Sequence, residues 1–227
     1  MEECTASTKI IVFDLDDTLY NEVDFVYSGY NAVSQYVAEE YGYTDALKVL
    51  KQAFQAHKNP FDELDDAMKP KTIDIPKLLE IYRFHKPQLT LSRTAEITLD
   101  YLQGEDAILC MITDGRSITQ RNKIEALGLN KYFTDDNLII SEEFGVEKTD
   151  KRPFQYFMDK YKEAKHFYYI GDNTAKDFFW PNRMRWTTIC LEDKGKNIHK
   201  QKFDGDKMHN PAIIIDNIYD LPSMILE

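Results

Sequence analysis

Residues 9–18, Lys9-Ile-Ile-Val-Phe-Asp-Leu-Asp-Asp-Thr18, decide how the rest of the chain is read. A short, mostly β-branched apolar run passes directly into a cluster of carboxylates. A run of this kind suits a strand buried on both faces of a parallel sheet. The acids then stand at its carboxyl end, where open α/β sheets bind their ligands. Asp14 and Asp16 are two positions apart, so in extended geometry both face the same side and address one reacting centre. A carboxylate is a competent nucleophile toward phosphorus once a cation quenches the repulsion, and its neighbour can protonate the departing oxygen. By itself an Asp-x-Asp pair is ordinary in solvated turns and helix caps, so the reading depends on the rest of the chain.

From about residue 24 to 86 the pattern becomes helical. Phe25, Tyr27, Tyr30, Val33, Tyr36 and Val37 recur every three or four positions, and breakers at Gly42, Asn59-Pro60, Lys69-Pro70 and Pro87 divide the block into about four pieces. At this spacing the aromatic residues read as core. After Pro87 helix and strand alternate. Helices are expected at 92–104, 117–127, 152–163 and 174–182, strands at 107–113, 138–141, 167–170, 187–191 and 212–215, and a terminal helix closes the series. This order predicts an α/β fold built on a parallel sheet. Residues 1–19 and 87–227 form its core, and 20–86 form a small all-helical cap. The charged, locally basic loop 192–208 reads as mobile.

Three further clusters fall at predicted strand ends. Thr113-Asp114-Gly115 offers a hydroxyl and backbone N–H groups at a helix start, which is an anion cradle and equally a common N-cap. Lys148 stands just ahead of a helix and could neutralise a phosphate oxygen. Gly171-Asp172-Asn-Thr-Ala-Lys-Asp177 brings two acids to another strand end, an oxygen-only donor set that suits magnesium.

In order, Asp14-x-Asp16-x-Thr18, Thr113, Lys148 and Gly171-Asp172-x4-Asp177 resemble the four motifs of the haloacid dehalogenase superfamily. The resemblance spans nearly the whole chain, with the helical block where that family inserts a cap. It implies a Rossmann-like core and a magnesium-dependent phosphatase that works through an aspartyl-phosphate. Asp14 would be the nucleophile and Asp16 the general acid, then base. Thr113, Asp114 and Lys148 would form the phosphate site. Asp14, the Asp16 carbonyl and Asp172 would hold Mg2+, with Asp177 behind them or reaching the metal through water. Dehalogenases and phosphonatases similar to this fold lack an acid at the position of Asp16, so its presence favours phosphate ester hydrolysis. Lys151 competes with Lys148 for the third motif, and Thr149 replaces the family's usual proline. Lys148 is preferred because its spacing to Asp150 and Phe154 fits the pattern. A phosphomutase and a non-catalytic phosphometabolite-binding module are the alternatives.

The formal charge of −11 removes the basic footprint that a nucleic-acid polymer needs, but leaves room for one small phosphorylated substrate beside a cation. The 3 cysteines, Cys4, Cys110 and Cys190, include no CxxC pair, and no leader-like or membrane-length apolar run is present. A cytoplasmic protein without membrane attachment is expected, and its oligomeric state is left open. Arg116, Lys58, Arg83, His85 and Lys86 are further basic candidates for contact with a substrate's non-reacting part, and each reads more simply as solvated.

Overall fold

Strand β1 (Lys9–Phe13) sits inside a sheet completed by β2 (Ala107–Thr113), β3 (Leu138–Ile140), β4 (His166–Gly171), β5 (Thr187–Leu191) and β6 (Ile213–Ile215). In the computed structural model the strand order is β3-β2-β1-β4-β5-β6, and every pairing is parallel. The structure describes residues 4–104, 106–203 and 205–226. Residues 1–3, expected as part of the core, lie outside the described residues.

Alternation along β1 explains why the strand is central. Ile11 and Phe13 join an apolar layer with α5 (Arg93–Gln103), α6 (Ser117–Ala126) and α10 (Leu221–Leu226), while Ile10 and Val12 join a second layer with α8 (Arg152–Lys160) and α9 (Phe179–Arg183). Both faces are therefore covered, and the expected α/β core with a Rossmann-like parallel sheet is what forms. The chain runs outward from β1 through β2 to β3, then returns to build β4, β5 and β6 on the other side. The switch point lies between β1 and β4, so a crevice opens beyond their carboxyl ends. Asp14 and Asp172 stand at that place.

Between β1 and α5 lie four helices: α1 (Glu22–Tyr41), α2 (Ala46–Gln55), α3 (Pro60–Met68) and α4 (Ile75–Phe84). They bury an apolar cluster of their own, including Val26, Tyr30, Val33, Leu50, Leu64 and Leu78. Their ends follow from local chemistry. Gly42 takes the left-handed C-cap conformation that costs other residues energy, and Asn59 caps Phe61 N–H ahead of Pro60. Asp74 caps Lys77 N–H ahead of Pro76, a start signal the sequence reading passed over. Tyr82 packs against both this cluster and the layer on β1, and so joins the two.

Several expected elements differ in extent, and the helix expected at 152–163 stops at Lys160. Strand 138–141 ends at Ile140, because Ser141 opens the short helix α7 (Ser141–Phe144) and accepts a hydrogen bond from Gly115 N–H at 2.9 Å. The helix expected from 174 begins only at Phe179. Ahead of it, Asn173 accepts from Ala175 N–H, and the Asp177 carboxylate folds back onto the N–H groups of Asp172 and Asn173, so these residues wind as turns.

Candidate active site

Asp14 follows β1 directly, its N–H bonded to the Ile170 carbonyl of β4 at 2.8 Å. One of its carboxylate oxygens accepts from Leu15 N–H at 2.7 Å, and the other lies 2.9 Å from Lys148 Nζ. The same ammonium donates to Asp177 at 2.7 Å. Lys148 therefore sits between two buried acids, whereas Lys151 is exposed at the start of α8. Asp177 is fully buried and saturated: one oxygen accepts from Lys148 and from Tyr169 OH, the other from Asp172 N–H and Asn173 N–H. With its acceptor sites occupied it orients neighbours. Gly171 is required beside it, because a Cβ there would lie 2.4 Å from an Asp177 oxygen.

Asp172 closes the group. One oxygen accepts from Asn197 Nδ2 at 2.8 Å, and carboxylate oxygens of Asp14, Asp172 and Asp177 lie within 4.8 Å of one another. Burial, then the Asp177, Asp14 and Asp17 charges, pushes the Asp172 carboxyl up to about 9. Asp14 is also raised well above the carboxylate range, first by burial and then by Asp177 and Asp16 against the pull of Lys148. Lys148 remains an ammonium, since Asp14 and Asp177 outweigh its burial. Three buried carboxylates thus share one ammonium, and the excess negative charge on oxygen-only donors fits a divalent cation that prefers oxygen ligands. Asp14 and Asp172 would hold it, with Asp177 and Asn197 setting their orientation.

Asp16 is held by residues that sequence reasoning did not single out. Its oxygens accept from Tyr20 OH at 2.5 Å, Lys123 Nζ at 2.7 and 2.9 Å, and Gln120 Nε2 at 3.0 Å. Burial opposes its ionisation, but Lys123 and these hydrogen bonds prevail and lower its pKa. Gln120 also reaches Thr113 Oγ1 at 2.5 Å, linking the ends of β1 and β2. Their signal was available: Gln120, Lys123, Ile124 and Leu127 recur at helical spacing, which places a lysine on the inward face of α6. Asp114 accepts from Lys148 N–H at 3.0 Å and pairs with Lys176 at 3.1 Å, a cation from the fourth motif that had no assigned role.

Asp17 adopts a left-handed backbone (φ 53°), a conformation short acids tolerate, and its side chain accepts from Glu22 N–H at 2.7 Å and Ile198 N–H at 2.9 Å. The loop after β5, expected as mobile, is tied down by these bonds. Asp193 accepts from the N–H groups of Gly195, Lys196 and Asn197, and Gln201 donates to the Asp172 and Leu191 carbonyls. The resulting cavity, about 180 Å³, is lined by Asp14, Asp16, Glu22, Lys148, Asp172 and His199 among others. None of Lys58, Arg83, His85, Lys86 or Arg116 lines it.

The haloacid dehalogenase-like hydrolase model matches residues 11–184. Over 94% of the chain and 98% of the relative, the sequence is 29% identical to a glyceraldehyde 3-phosphate phosphatase of Methanocaldococcus jannaschii. The fold is shared with the HAD-hydrolase YfnB of Bacillus subtilis, whose structure is described as bound to magnesium; the TM-score is 0.66 at 20% identity, covering 96% of this chain and 99% of that one. It is also shared with a 2-haloacid dehalogenase of Pseudomonas syringae pv. Tomato, with a TM-score of 0.64 at 20% identity over 96% and 98%. With the family model covering most of the sequence and the sheet order and strand-end acids in agreement with it, this chain belongs to the haloacid dehalogenase-like hydrolases.

Proposed function

We propose that this phosphatase removes the phosphoryl group from a small, hydroxylated phosphate monoester, through an aspartyl-phosphate on Asp14 and with Mg2+ at Asp14, the Asp16 carbonyl and Asp172. The observation that carries the reading is the buried Asp14 carboxylate, 2.9 Å from Lys148 and grouped with Asp172 at the sheet's switch point. An Asp14 oxygen attacks phosphorus in line as the ester P–O bond breaks, and Asp16, ionised in the free site, takes the proton of the incoming phosphate monoanion and gives it to the departing alkoxide. Asp16 then takes a proton from water, which attacks the aspartyl-phosphate and restores Asp14 with release of phosphate. Thr113, Asp114 and Lys148 position the phosphoryl oxygens, and Lys148 offsets their charge. When bound, the cation offsets charge on the same oxygens and lets two anions meet.

Helices α1–α4 act as the cap, with Glu22 as their contribution to the cavity wall. The cavity is small and lined almost wholly by charged and amide side chains, with no Phe, Tyr or Trp and with His199 as its one ring, which favours a short sugar phosphate such as the substrate in the relative's name. The acidic surface argues against a polymeric nucleic acid. Among the described residues no helix is long and apolar enough to cross a membrane, and together with cysteines that form no disulfide framework this supports action in the cytoplasm.

The test is phosphate release from three- to six-carbon sugar phosphates, nucleoside monophosphates and an aryl phosphate, with Mg2+ or a chelator. Metal-dependent turnover is expected on the short sugar phosphates. Asp14→Asn should lower it by about 10⁴-fold or more, the scale seen when a covalent nucleophile is removed. Turnover unaffected by that substitution would remove Asp14 from the mechanism, and retained phosphoryl transfer to a sugar phosphate would favour a mutase.

A further inference from the structure

We infer that Lys123 is a positioning residue for the acid–base step, and that the inward face of α6 exists to aim the Asp16 carboxylate. This rests on the phosphatase reading above. Helix α6 buries Gln120 and Lys123 together with Ile124, where apolar side chains alone would be the stable choice. A buried ammonium is costly unless paired, and the carboxylate paired with Lys123 is Asp16. Lys123 reaches both oxygens of Asp16, at 2.7 and 2.9 Å, which defines the plane of the carboxylate as well as its location. Tyr20 OH fixes one oxygen and Gln120 the other, and Gln120 is itself anchored on Thr113. Lys123 Nζ in turn lies 4.4 Å from the centre of the Phe25 ring of α1, a second contact that holds the ammonium in place.

None of these donors belongs to the set around Asp14. Lys148, Asp172 and Asp177 form one hydrogen-bonded group, and Lys123, Gln120, Tyr20 and Asp16 form a second beside it, both opening on the same cavity. The first group is built for the phosphoryl centre. Gln120 also reaches Thr113, but the side-chain hydrogen bonds of Lys123 and Tyr20 go to Asp16, the residue that handles the leaving-group proton, so the loss of Lys123 should matter in proportion to how much the leaving group needs that proton. A merely structural lysine would affect every substrate alike.

The experiment compares kcat/KM, which covers the chemistry through departure of the leaving group, on an alkyl phosphate such as glycerol phosphate and on 4-nitrophenyl phosphate, whose phenolate leaves unprotonated. Asp16→Asn sets the scale, with a loss on the order of 10²–10⁴-fold on the alkyl ester and far less on the aryl ester, as for removal of a general acid. Lys123→Met is expected to lose about 10–10²-fold on the alkyl ester, the scale of a misplaced catalytic group, and to change the aryl ester little. Lys123→Arg should restore most of the loss, and Lys123→Met in the Asp16→Asn background should add no further selectivity. Tyr20→Phe deletes a neutral donor that reaches Asp16, and should give the same selective loss in smaller measure, which keeps the test open if Lys123→Met does not fold.

Equal losses on both esters, or additive losses in the double variant, would overturn the inference while leaving the role of Asp16 intact. No leaving-group dependence in Asp16→Asn itself would overturn the general-acid reading and this inference with it.

Discussion

Glu22 opens helix α1 with its side chain on the catalytic cavity. Burial and then the charge of Asp16 push its carboxyl up to about 7, against the pull of Lys123. A folded-state value above the unfolded one means that the native protein keeps this proton after the unfolded chain has released it. The favourable contribution is therefore complete below the unfolded pKa and is lost as pH rises through about 7. Glu22→Gln removes the penalty of the buried charge, so it should raise Tm more at pH 8 than at pH 5, by about 2–4 °C for each kcal/mol relieved. Thermal melts in chelator at the two pH values check this, and equal shifts would remove the Glu22 charge as the cause. The same crowding of acids makes the cluster legible in sequence. Asp14 and Asp172 directly follow strand-like runs, and Asp177 stands five residues beyond Asp172 in the same motif. Lys123, Gln120 and Tyr20 are legible only as inward-facing positions, because their meaning depends on which carboxylate the packing brings to them.

At the scale of the element, the loop after β4 shows why a regular helix is not always the best use of its residues. Asp177 must turn back to reach two backbone N–H groups, Lys148 and Tyr169, so residues 173–178 form turns although their spacing suggests helix. Gly171→Ala tests this economy of space, since the added methyl would meet Asp177 Oδ2 at 2.4 Å and Cγ at 2.8 Å. A displaced Asp177 should weaken Mg2+ affinity by about 10–100-fold, as for other residues that orient metal ligands. Overpacking should also cost about 1–3 kcal/mol of stability. Activity against Mg2+ concentration and a denaturant melt measure the two, and unchanged metal affinity would show that Asp177 does not orient the site. The backbone of Gly171 is not left-handed, so the requirement here is room for a neighbour rather than conformational freedom.

For the whole molecule, the sheet layers and the four helices each bury a separate apolar cluster, with Tyr82 between them and Ile198 of the β5–β6 loop packed against the helical one. If the helical layer is a cap that opens and closes, its stability should be partly its own. Leu50 is fully buried there, and Leu50→Ala should cost about 2–5 kcal/mol. Hydrogen exchange should then quicken in α1–α4 while amides of β1, β2 and β4 keep their protection. A uniform rise across both would show one cooperative unit and count against the division at residues 20–86.

Periodicity and spacing alone determined a good deal about this protein. Three strands, Lys9–Phe13, Ala107–Thr113 and Thr187–Leu191, read correctly to the residue because short apolar, β-branched runs between polar turns have few other solutions. The α/β order followed from the alternation of helix and strand, and the family from the resemblance carried by four short motifs in sequence order. Tertiary structure decided what depends on neighbours distant in the chain. It set the strand order that puts the switch point between β1 and β4, and buried Lys148 between Asp14 and Asp177 while leaving Lys151 exposed. It also tied the β5–β6 loop to Asp17 and Asp172, and set Lys123 against Asp16 across 107 residues. The physical reason is one of range. Strand and helix signals arise within a few residues, whereas the pairing of a buried charge is set by the packed neighbours that exclude water from it.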